Sequence, residues 1–97
     1  MKQIPLEGGA INAHQTFTVT LGDREITFEL DFMGYTDHPV WNCNLYENGN
    51  ALVYGLLLVT GCDLLAPYHL NLGQLWMAGD EPTLENLGVD NELVWIE

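Results

Sequence analysis

Two runs of strict alternation, His14 to Leu21 and Arg24 to Phe32, flank a Gly22-Asp23 pair and constrain the fold more than any other feature. In the first run Phe17, Val19 and Leu21 share one parity and Thr16, Thr18 and Thr20 the other. In the second, Ile26, Phe28, Leu30 and Phe32 oppose Thr27, Glu29 and Asp31. Successive side chains of a strand point to opposite faces, so such runs read as half-buried strands. The short link makes them an antiparallel hairpin.

A second hairpin follows. Val40 to Tyr46 sets Trp41, Cys43 and Leu45 against Asn42 and Asn44. The next residues, Glu47-Asn48-Gly49-Asn50, carry the Asn-Gly pair of a type I′ turn, because both central residues tolerate positive φ. The returning strand is expected over Ala51 to Thr60, with Met33 to Pro39 as the loop between hairpins. Cys62 to Ala66 suits one helical turn, ended by the clash that precedes Pro67. Gly73 to Ala78 reads as a strand with Leu75 and Met77 on one face and Trp76 on the other. Thr83 to Leu87, after Pro82 and before Gly88, reads as a short helix with Asp80 and Glu81 at its positive end. Glu92 to Ile96 is the last strand. The expected fold is all-β: a small antiparallel β-sandwich or barrel of about six strands with one or two short helical turns, forming one domain over residues 1–97.

Charge narrows the function. Fourteen acidic residues stand against Lys2 and Arg24, a formal net charge of −12. Cationic side chains supply most affinity for nucleic acid and for anionic lipid, so neither direct nucleic-acid binding nor a membrane role is expected. A field of this sign attracts cations or basic proteins; it equally serves to keep a small protein soluble. The tail from Gly79 to Glu97 alone holds six acids and no base.

Ala51 to Gly79 has the opposite character, with Asp63 as its one formal charge. Thr60 to Asp63 and then Pro67 interrupt it too early for a membrane span. Within it, Leu56-Leu57-Leu58-Val59 would make a strand apolar on both faces, and such a strand needs cover on both sides. Either the chain's own loops, such as Ala66-Pro67-Tyr68, supply that cover, or another subunit does. The candidate protein-interaction residues are accordingly Leu56, Leu57, Leu58, Val59, Trp76 and Trp95, with Asp80, Glu81 and Glu85 as acidic companions. Of Trp41, Trp76 and Trp95, at least one is expected near a contact surface.

No catalytic constellation stands out. Serine is absent from the sequence, and Gly8-Gly9 lacks the rest of a phosphate-loop pattern. His14, His38 and His69 lack metal-ligand spacing. Asp37-His38 reads as a polar turn rather than a metal or acid–base pair, and Glu29 with Asp31 as a solvated or partner-facing strand surface. Cys43 and Cys62 form no C-x-x-C pair and follow no signal-like apolar run. Both are expected as reduced, buried small hydrophobes in a cytoplasmically made protein. No enzyme activity, cofactor or metal is expected.

Several stretches together resemble one family, the cyanophage baseplate plug proteins. They are Ile4-Pro5-Leu6, Asn12-Ala13-His14-Gln15 with Phe17, Leu21-Gly22, Trp41, Gly55 and Leu64-Leu65 with Tyr68. The segment Gly79-Asp80-Glu81-Pro82-Thr83-Leu84-Glu85-Asn86-Leu87-Gly88 followed by Leu93-Val94-Trp95 completes the set. The resemblance implies a structural component at the centre of a contractile-tail baseplate, in several copies around the tail axis and in contact with other tail proteins. Family members often carry more Arg and Lys, a departure that leaves the partner contacts open. The competing expectation is a small acidic monomer that binds or inhibits a basic protein.

Overall fold

A computed structural model describes residues 2–34, 39–68 and 70–97. Its strands are β1 (Lys2–Ile4), β2 (His14–Leu21), β3 (Arg24–Met33), β4 (Val40–Glu47), β5 (Asn50–Leu57), β6 (Gln74–Gly79) and β7 (Asn91–Ile96). They form two antiparallel sheets, one of order β2-β3-β4-β5 and a smaller one of order β1-β7-β6. The all-β class and both hairpins match the sequence reading.

The β2–β3 register runs from His14↔Asp31 to Leu21↔Arg24. It seats Phe17 on Phe28 as stacked rings 5.3 Å apart. On β4, Trp41, Cys43 and Leu45 are buried as the alternation required. Asn48 and Gly49, at φ 52° and 79°, make the left-handed turn between β4 and β5. Ile4, Leu75, Met77, Leu93 and Trp95 bury the inner face of the small sheet, and one core joins the two inner faces. Each fully buried aliphatic or aromatic side chain contributes roughly 1.5–3 kcal/mol. Two indoles lock loops onto this core: Trp41 Nε1 donates to Thr83 O at 2.9 Å and Trp95 Nε1 to Leu72 O at 2.5 Å.

Several expectations are corrected. The seventh strand, β1, pairs its three residues with β7 (Ile4↔Leu93), and a segment so short carries no periodicity of its own. The strand expected over Ala51 to Thr60 leaves its sheet after Leu57, and Thr60 bridges Met77 of the other sheet. The helical turn expected over Cys62 to Ala66 is displaced to a 3-10 turn at Ala66–Tyr68 that includes Pro67. Asp63 is instead held by the small sheet: its Oδ1 accepts Leu75 N at 2.9 Å and Leu65 N at 3.1 Å.

Thr83 to Leu87 is a run of turns, not a helix. Asn86 Oδ1 accepts Thr83 N at 2.6 Å, Asn86 Nδ2 donates to Glu81 O at 3.1 Å, and Thr83 Oγ1 accepts Asn86 N at 3.2 Å. These side chains take the backbone groups that a helix would use. Asp80 and Glu81 therefore sit at no helix terminus. Cys43 is buried as expected; Cys62 is exposed, on the bend after Gly61, and both thiols are free. Tyr35, Thr36, Asp37, His38 and His69, and with them the Asp37-His38 pair, lie outside the described residues.

Candidate interaction surface

The run Leu56 to Val59 divides between inside and outside. Leu56 and Leu58 are each 2% exposed, whereas Leu57 and Val59 are each 42% exposed. Its cover is thus half internal: the chain encloses two of the four side chains and presents the other two. The register sets this division. Cys43↔Leu56 is followed by Leu45↔Val53, so Tyr54 and Gly55 share the place opposite Asn44; a second shift precedes Tyr46↔Ala51. The first of these bulges, at Tyr54 and Gly55, thus brings Val53 to the same core as Leu56 and Leu58 despite their uneven spacing. Gly55 adopts φ 77°, and its N–H donates to Asn44 Oδ1 at 2.9 Å.

Beyond the bulges the outer face turns apolar at one end. Met33 pairs with Val40, and Asn42 with Leu57. Val40 and Val59 line a groove of about 420 Å³ with Pro39, Leu58, Glu81 and Pro82. The Glu81 wall is stiffened by two asparagines that motif reasoning did not single out. Besides the Asn86 bonds, buried Asn91 donates through Nδ2 to Asp80 O at 3.2 Å and to Asn86 Oδ1 at 3.2 Å. Its own Oδ1 accepts Gly88 N at 2.8 Å. The signal in the sequence was the pair of Asn residues flanking Gly88 in a turn-rich segment.

The other candidate residues do not converge here. Trp95 is buried in the core with Leu56 and Leu58, so none of these three is on the surface. Trp76 lies half-buried on the outer face of the small sheet, opposite Val94 and beside the Gln74↔Ile96 pair; its Nε1 donates to Gln74 Oε1 at 2.8 Å. The surface members beside the groove are therefore Leu57, Val59 and Glu81; Asp80 and Glu85 are exposed on the adjoining 80–90 segment.

Electrostatically the surface is almost entirely acidic. Arg24 clasps Glu47 with two bonds, Nε to Oε2 at 2.7 Å and Nη2 to Oε1 at 2.8 Å, and reaches Leu70 O at 3.2 Å. That bond holds the Glu47 carboxyl below the usual carboxylate range. Lys2 Nζ donates to Thr20 O at 2.8 Å. Both cations are engaged internally.

Glu29 and Asp31 lie on the outer face of the four-stranded sheet. Glu29 accepts from Asn44 and from Tyr46, each at 3.0 Å, and these bonds lower its pKa. Asp31 bonds His14 Nδ1, which raises the imidazole pKa. Burial pushes the Cys43 thiol up to about 12, away from thiolate chemistry. Among the described residues, no group of three His, Cys, Asp or Glu side chains is arranged to hold a metal, and no helix is long and apolar enough to cross a membrane.

Two comparisons complete the picture. The chain matches, over residues 1–97, the family model described as cyanophage baseplate Pam3 plug gp18. No curated protein matches it.

Proposed function

The chain belongs to the cyanophage baseplate plug family, and from that premise we propose that it is a central plug of a phage or prophage contractile-tail baseplate, acting through protein contacts. The family is structural, and its members are baseplate components of the virion tail. The observation that carries the finer reading is the match along the whole chain, residues 1–97. The half-open Leu57 and Val59 support it, since apolar side chains grouped beside a groove mark contact surfaces. In this reading the chain acts as one domain, is made in the host cytoplasm and joins the tail in several copies. Its basic neighbours match the charge of −12.

Quantitative mass spectrometry and imaging of purified particles test the proposal. The chain is expected at a fixed, small copy number in the tail fraction, with density at the tail axis. Particles that lack the chain yet carry normal baseplates overturn it. Changing Asp80, Glu81, Glu85, Asp90 and Glu92 to amides is expected to weaken co-assembly; unchanged co-assembly removes the charge argument.

A further inference from the structure

The four outer strands of the two sheets are not equally closed. β1 has three residues and runs into Pro5. β5 carries two register shifts and ends at Leu57, and its chain then crosses to bridge Met77 of the small sheet at Thr60. β6 is shielded by the Thr60 and Asp63 bridges and by Leu64 N donating to Leu75 O at 2.7 Å. β2 differs from all three. It pairs with β3 in unbroken register, and among the described residues no strand lies on its other side.

Two contacts fix which backbone groups face that open side. Phe32 N of β3 donates to Ala13 O at 2.8 Å, so the odd-numbered residues here turn toward β3. Lys2 Nζ, from the small sheet, reaches Thr20 O at 2.8 Å, so the even-numbered residues turn outward. In an antiparallel ladder the N–H and C=O of one residue point to the same side, and the next residue's point to the other. Thr16 and Thr18 therefore turn both backbone groups away from β3, and among the described residues those groups bond nothing. Both threonines are exposed, and Phe17 between them is half-buried. Beside Phe17 lies a groove of about 200 Å³ lined by Pro5, Glu7, Gln15 and Thr16.

We propose that a second copy of this chain adds to the β2 edge, antiparallel, about a twofold axis through Phe17. In this register Thr16 of each copy pairs with Thr18 of the other, which uses only backbone groups without a partner and leaves Thr20 O to Lys2. Such a contact is self-complementary, because each pairing is made twice. Phe17 then meets Phe17 of the other copy at a non-hydrogen-bonded position, where side chains approach most closely. The two rings cover each other beside the Pro5 groove, and the outward threonines face threonines, a favourable cross-strand pair.

The charge distribution suits a second copy at this edge despite the net −12. β2 itself has no acidic residue. The carboxylates beside it on the outer face, Glu25, Glu29 and Asp31, stand one strand inward on β3. In the joined sheet β3 and its counterpart are three strand spacings apart, roughly 14 Å, beyond the screening length of about 8 Å at physiological salt. The register also sets the Thr20 end of one copy, where Lys2 is bound, against the His14 end of the other, where Asp31 lies. The pairing goes beyond the function proposed above and does not rest on it.

The test follows the isotope-labelled full chain by analytical ultracentrifugation and amide hydrogen exchange in about 0.15 M salt. Two short strands bury less than a standard interface, so a weak pair with Kd of about 0.1 mM is expected. Raising the concentration from about 10 μM to about 1 mM is expected to turn monomer into dimer and to slow exchange at Thr16 and Thr18. Thr16→Lys with Thr18→Lys sets like charges opposite each other and is expected to weaken pairing at least about tenfold, although it lowers the net negative charge. Thr16→Glu with Thr18→Lys sets opposite charges against each other and is expected to keep the dimer. Thermal melting checks that both variants fold; where one does not, exchange at Thr16 and Thr18 of the unaltered chain decides.

A monomer at about 1 mM, or self-association that leaves exchange at Thr16 and Thr18 unchanged, overturns the proposal. So does an undiminished dimer in the two-lysine variant, or a monomer in the glutamate–lysine variant. The two readings fail separately. A chain present in purified particles but monomeric when free overturns only the pairing. A chain that pairs but is missing from particles overturns only the baseplate role.

Discussion

Truncating Leu58 to alanine is expected to cost far more stability than the same truncation at Leu57, one residue away in a run where sequence offers no distinction. Leu58 is 2% exposed and packs in the core. Removing three of its carbons forfeits their transfer free energy and leaves a cavity, which together cost about 3 kcal/mol within the range for buried Leu→Ala. In a domain of this size each kcal/mol lowers Tm by roughly 4–8 °C, so the loss is on the order of 12–24 °C. Leu57 is 42% exposed. Water fills the space its side chain leaves, no cavity forms, and the cost stays below about 1 kcal/mol.

Urea unfolding followed by the fluorescence of Trp41 and Trp95 measures both. With a slope of about 1–3 kcal/mol/M, the Leu58→Ala midpoint falls by roughly 1–3 M at unchanged slope, and that of Leu57→Ala by a few tenths. Equal losses, or the reverse order, refute the reasoning. A one-residue register slip exchanges the faces of a strand, so either outcome would mean that the bulges around Gly55 do not place β5 as described.

Gly55→Ala should cost about 1–2 kcal/mol, because φ 77° puts a Cβ in the left-handed region; an equilibrium denaturation curve reads it. His14, followed by proton NMR, is expected to titrate above its ordinary 6.5 and to return toward it in Asp31→Asn, with Glu29 then as its remaining charged aid. A raised folded-state pKa stabilises fully below the unfolded value, so this contribution is present below about pH 6.5 and disappears as pH rises through the folded value. A double-mutant cycle of Arg24→Ala with Glu47→Gln should give a coupling of about 0.5–1 kcal/mol that shrinks in high salt, since both side chains keep about a quarter of their exposure. No coupling would assign the clasp to packing alone.

Where residues were legible in isolation, the sequence determined the outcome. Alternation placed Phe28, Leu30, Trp41, Cys43 and Leu45 inside, since period two permits one assignment of faces once one side must be apolar. Asn48-Gly49 specified its turn through the φ values those residues tolerate. The excess of carboxylates limited the partners a surface of this charge attracts.

Tertiary structure decided what depended on a distant partner. Lys2–Ile4 became a strand because β7 was there to pair with it. Thr83 to Leu87 lost its helix to Asn86, whose side chain competes for the same backbone groups. Leu56 to Val59 carries four apolar side chains with no local signal to separate them. The bulge at Tyr54 and Gly55 sets which of them point inward, and Asn44 on β4 holds Gly55 there across the ladder. Which of those residues face outward was set by that cross-strand register.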